Sequence, residues 1–115
     1  MLHRIGTAAE IRPLCGRFPE AVMKHLIHCT EVLDSSYGAD RDYLTVGGYS
    51  LIAEDWNDIS SICAVVDIET YPYEWVKCLD GGYLSILYLL GDDFAVVVFI
   101  PVECAPTVVL KDLEV

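Results

Sequence analysis

Between Pro19 and about Ser35 the apolar positions Val22, Leu26, Cys29 and Leu33 recur at intervals of four, three and four. That spacing lines one face of an α-helix and predicts an amphipathic helix, with Pro19 at a first position that needs no N–H. A different rhythm governs residues 84–90 and 94–100, two aliphatic and β-branched runs separated by Gly91-Asp92-Asp93. They read as the two arms of a β-hairpin. Both arms are apolar on both faces, so they belong in the middle of a sheet with helices over at least one side.

Weaker patterns fill in the rest. Thr7 and Glu10 stand in the arrangement of a capping box, in which hydroxyl and carboxylate satisfy backbone donors at a helix start. Pro13 and Gly16 keep that first helix brief or kinked, and Phe18 leads into the second. Residues 35–47 are polar and rich in turn formers, a loop. In residues 48–54, Tyr49, Leu51 and Ala53 share one face and Ser50, Ile52 and Glu54 the other, as in a strand. Asp55 and Asp58 flank Trp56 ahead of Ile59 and Ile62, predicting an N-capped helix of about two turns. Residues 65–68 fit a strand or a loop, and Pro72 prevents one continuous element through 70–73. Residues 73–79 alternate weakly and end in Asp80-Gly81-Gly82, a tight reversal. Pro106 can open a terminal helix, although 107–110 also suits a last strand. The expected fold is α+β: two N-terminal helices packed on a mostly antiparallel sheet of about four strands, including the hairpin near 84–100.

Length makes this one domain, residues 1–115, and 54% hydrophobic residues against 22% charged excludes the disordered class. Charge narrows the function more. Eighteen acids against seven Lys or Arg give a net charge of −11. Residues 1–42 are close to neutral, whereas residues 43–115 contain Lys77 and Lys111 as their only Lys or Arg. Such a chain repels phosphate backbones and anionic lipid, so nucleic acid and membranes are not its expected partners. The five cysteines, Cys15, Cys29, Cys63, Cys78 and Cys104, include no CxxC pair, which predicts neither zinc ribbon nor redox dithiol but a reducing cytosol. No apolar stretch reaches the roughly 20 residues of a membrane span, and none has the form of a secretory signal.

Catalytic signatures are weak. His25, His28 and Cys29 lie within two turns of one helix and could supply part of a metal site, but Cys29 falls on the core stripe. Gly91-Asp92-Asp93 resembles, over three residues, the metal-binding turn of template-copying polymerases, yet length and positive charge are lacking and turn formation explains it. Gly47-Gly48 lacks the lysine of a phosphate-binding loop. No cofactor is expected.

Residues 67–75 differ in kind, because Asp67, Glu69 and Glu74 are interleaved with Tyr71, Tyr73 and Trp75. Rigid aromatic area beside carboxylates suits a binding loop for a basic protein partner. Tyr37, Tyr43 and Tyr49 near Asp40 and Asp42 could form a second such surface. In size, acidity and lack of catalytic motifs the chain looks like small bacterial accessory proteins, such as toxin-neutralising immunity proteins or inhibitors that imitate nucleic acid. The leading expectation is a non-enzymatic cytoplasmic binding or regulatory protein. The alternatives are a small metal protein or enzyme using His25, His28 or Cys29, and a structural subunit that forms a homodimer through a sheet edge.

Overall fold

A computed structural model describes residues 2–33, 47–90 and 94–113. The chain begins with β1 (His3–Ile5) and two 3₁₀ turns, Ala8–Glu10 and Arg12–Leu14, before α1 (Glu20–Leu33). Then come β2 (Gly47–Ile52), a 3₁₀ turn Trp56–Asp58 running into α2 (Ile59–Cys63), and the strands β3 (Trp75–Leu79), β4 (Tyr83–Leu89) and β5 (Phe94–Pro101). A further 3₁₀ turn, Val102–Cys104, precedes α3 (Thr107–Leu113), so the segment after Pro106 is a helix and not a strand.

The strands form one five-stranded sheet in the order β1-β2-β5-β4-β3. β3, β4 and β5 make an antiparallel meander, and β1 pairs antiparallel with β2. β2 runs parallel to β5, with Tyr49 opposite Val96 and Leu51 opposite Val98. The expected α+β class and the central hairpin are therefore present, but the expected strand count and the first helix need correction. The fifth strand is β1, whose three residues hold too little pattern to be read alone. In place of a first α-helix the chain makes two 3₁₀ turns, because Pro13 and Gly16 (φ 84°) leave no room for successive i→i+4 bonds. At their start the Glu10 carboxylate accepts from the backbone N–H of Gly6 (3.0 Å) and of Thr7 (3.1 Å).

Alternation along the inner strands creates two cores, one on each face of the sheet. Val97 and Phe99 of β5, with Ile52 and Leu79, meet the predicted α1 stripe of Val22, Leu26, Cys29 and Leu33, all buried. On the opposite face Val96, Val98 and Ile100 of β5 and Leu84, Ile86 and Tyr88 of β4 are covered by Ile62, Val66, Ile68 and Val109. Residues 65–68 thus have no regular structure yet contribute two buried side chains, Val66 and Ile68. Two glycines are required by close approach. A Cβ on Gly48 would stand 1.9 Å from the Ala95 carbonyl oxygen, and one on Gly81 2.4 Å from Pro19 Cβ. Gly81, at φ +100°, lets the β3–β4 turn sit against the start of α1.

Candidate functional site

The aromatic and acidic segment 67–75 is built as a compact turn leading into an edge strand. Asp67 accepts from the Glu69 N–H through its Oδ1 (3.2 Å) and from the Tyr71 N–H through its carbonyl (2.7 Å). The Glu74 N–H then donates to the Leu87 carbonyl (2.8 Å), which starts the β3–β4 ladder. Asp67, Glu69, Tyr71 and Glu74 are exposed. The Tyr71 hydroxyl donates to the Leu89 carbonyl (3.1 Å), and its ring meets the Tyr88 ring edge-on at 6.2 Å.

The six residues do not form one surface. Tyr73 packs into the α2/α3 core, with its ring 6.4 Å from that of Tyr88 and its hydroxyl shielded from solvent. Trp75 packs on the other face of the sheet, under α1, with its ring 5.6 Å from that of His25. Strict alternation would have put Tyr73 and Trp75 on one side. A bend at Glu74 separates them, because the ladder begins only at Trp75.

Two features extend this region. At the end of the β4–β5 hairpin where the two strands are joined, Leu89 and Phe94 are more than one third exposed, Phe94 meets Tyr49 at 5.6 Å, and the Arg4 guanidinium lies 4.3 Å from the Tyr49 ring centre. Tyr49 belongs to the second surface expected from sequence; Tyr37, Asp40, Asp42 and Tyr43, like Gly91-Asp92-Asp93, lie outside the described residues. The other feature is Trp56, which at 64% exposure is the most open large hydrophobic side chain among the described residues. Its turn is fixed from both sides: Asp55 Oδ1 accepts the Asn57 N–H (2.9 Å), and buried Asp58 accepts the Glu54 N–H (2.8 Å). In the sequence Trp56 stands only as the residue between Asp55 and Asp58 ahead of a helix. Spacing gave no signal of its exposure, because Trp56 precedes Ile59 by three positions and so continues the Ile59–Ile62 stripe.

Charge is distributed unevenly. The ion pairs among the described residues are Lys24–Glu20 (3.3 Å), Arg17–Glu54 (3.1 Å) and His3–Glu54 (3.3 Å), all involving cations of the N-terminal third. Asp55, Asp67, Glu69, Glu74 and Glu103 are exposed and make no ion pair among the described residues. Glu54 and Glu103 also line a cleft of about 550 Å³ beside Tyr83. Burial and then the Glu54 carboxylate push the Tyr83 phenol above its ordinary pKa.

His25, His28 and Cys29 lie where the helix pattern put them, with the two imidazoles 6.4 Å apart. Burial pushes the Cys29 thiol up to about 12, so it keeps its proton and behaves as a core residue. Among the described residues no group of three His, Cys, Asp or Glu side chains is placed to hold a metal ion, and no helix is long and apolar enough to cross a membrane. Comparison of the chain with protein families, curated proteins and solved structures finds no match.

Proposed function

We propose that the chain is a non-enzymatic, cytoplasmic binding protein whose α2/α3 side docks a basic surface of another protein. The observation that carries this reading is a group of exposed carboxylates that make no ion pair among the described residues, Asp55, Asp67, Glu69, Glu74 and Glu103, near the segments that present Tyr71 and Trp56; Glu10, Glu31 and Asp80 are also exposed without such a pair but lie outside this group. Unpaired carboxylates steer a cationic partner over long range, and exposed rings on ordered turns supply contact area at small entropic cost. The site expected from sequence is narrowed here to Asp67, Glu69, Tyr71 and Glu74, with Trp56 and Asp55 added. Tyr73 and Trp75 then act as packing residues that hold the segment on the sheet.

Titration of isotope-labelled protein with a lysine- and arginine-rich peptide tests the proposal. Backbone shifts are expected at residues 54–57, 67–74 and 102–104, shrinking as salt shortens the screening length from about 10 Å at 0.1 M to about 3 Å at 1 M. Replacing Trp56 or Tyr71 with Ala should weaken binding more than replacing Glu69 with Gln. Shifts scattered over the whole surface, or a response indifferent to salt, would sink the reading.

A further inference from the structure

In a chain with eighteen acids and seven Lys or Arg, cations have ample opportunity to pair. Lys77 does not: it makes no ion pair among the described residues. It lies at the middle of edge strand β3, in the same groove as Lys24, His25 and His28 of α1. The groove holds about 430 Å³, and among the described residues Asp80 is the only carboxylate lining it. Lys24 is held by Glu20 in an i,i+4 contact whose two side chains are 76% and 84% exposed. So exposed a pair is weak and easily given up.

Gathering like charges is unfavourable unless something offsets it. The cost is visible at His25, whose pKa lies below its ordinary value because of burial and then the positive fields of Lys77 and His28. The His25 ring is held edge-on by Trp75 and by Phe99, each at 5.6 Å, so the groove wall is fixed by packing. Two ammonium groups and two imidazoles offer more donors than one carboxylate can accept, but they match the oxygens of a phosphate group.

We infer that the groove between α1 and β3 binds a phosphate dianion, free or as the monoester of a small molecule, through Lys77, Lys24 and His28. This site lies apart from the proposed docking side and stands or falls without it. A bound dianion would offset the positive charge that Lys77 and Lys24 bring to the groove, and would strengthen the hold of His25 on its proton.

Proton and backbone spectra recorded during titration with inorganic phosphate, and separately with glycerol 3-phosphate, provide the test. Saturable shifts are expected at residues 21–28 and 77–80, with the imidazole titration curve of His25 moving to higher pH. Tighter saturation by the monoester would assign the site to an organic phosphate, and equal or tighter saturation by inorganic phosphate to the free ion. Lys77→Gln should weaken binding about tenfold or more, whereas Lys111→Gln, on α3 outside the groove, should not. The inference is overturned if sodium chloride at matched ionic strength gives the same shifts, if saturation is absent, or if Lys77→Gln keeps full affinity while its spectrum shows an intact fold.

Discussion

Both faces of the sheet carry a sealed core, and paired truncations test that directly. Leu26, on α1, and Ile86, on β4 beneath the α2/α3 layer, are each 0% exposed. Ile86 lies between Val76 and Val98 across its two neighbouring strands. Changing either residue to Ala removes three carbons, about 2.4 kcal/mol of transfer free energy at about 0.8 kcal/mol per methylene. A cavity term raises the cost to about 2–5 kcal/mol. A chain of 115 residues should have a total stability of about 6–17 kcal/mol, so either variant gives up a large share of it.

Urea unfolding followed by circular dichroism measures the effect. With a slope of about 1–3 kcal/mol/M, each variant should lower the midpoint by about 0.7–5 M at unchanged slope. Leu89→Ala, at a position 38% exposed, should cost less than about 1 kcal/mol. An Ile86→Ala cost below about 1 kcal/mol, beside a full Leu26→Ala cost, would refute the second core. The short α2 and the irregular 64–74 segment would then not cover the sheet.

Other expectations follow from single groups. Tyr88 is 0% exposed and its hydroxyl has no hydrogen-bond partner among the described residues. Tyr88→Phe should therefore raise stability by about 1–3 kcal/mol, the cost of a buried unsatisfied polar group, and a lower denaturation midpoint would show that the hydroxyl is satisfied. Gly48→Ala would drive a Cβ to within 1.9 Å of the Ala95 carbonyl oxygen, and should cost about 3 kcal/mol or more; wild-type thermal stability would disprove the β2–β5 register. His25 holds its proton more weakly in the folded chain than its ordinary value of 6.5. As pH falls through about 6.5 the unfolded chain takes up a proton that the folded chain does not, so stability should fall toward the folded pKa. Unfolding measured between pH 7.5 and 5.5 should show that decline, with a shallower slope in His25→Gln; equal slopes would remove His25 as its source.

What sequence could reveal depended on how local the determining contacts are. The α1 stripe was readable because each buried position lies three or four residues from the next, and the β3–β4 reversal because Asp80-Gly81-Gly82 carries its own turn chemistry. β1 escaped notice because its pairing with β2 joins Ile5 to Ser50, and only the folded sheet brings such distant residues together. The parallel pairing of β2 with β5 was hidden for the same reason: each strand's alternation shows that it has neighbours, not which ones. At the candidate site the residue types were legible and their grouping was not. A single bend at Glu74 sent Tyr73 and Trp75 to opposite cores, and no pattern of side chains records a bend of that kind.

The two sides of the sheet differ in a way that bears on the proposed docking at the α2/α3 side. α1 is a continuous helix of 14 residues, whereas α2 has five and is anchored by Ile62, and much of the cover beside it is turn and loop anchored by Val66 and Ile68. A helix covers a sheet with a regular surface, but anchored loops can present side chains in directions a helix cannot, on a scaffold that keeps them in place. The buried Asp58 carboxylate illustrates the anchoring: by accepting the Glu54 N–H it ties the end of β2 to the turn that carries Trp56. Ring and carboxylates are therefore displayed from an ordered backbone, so a partner docking there would face little loss of loop entropy on binding.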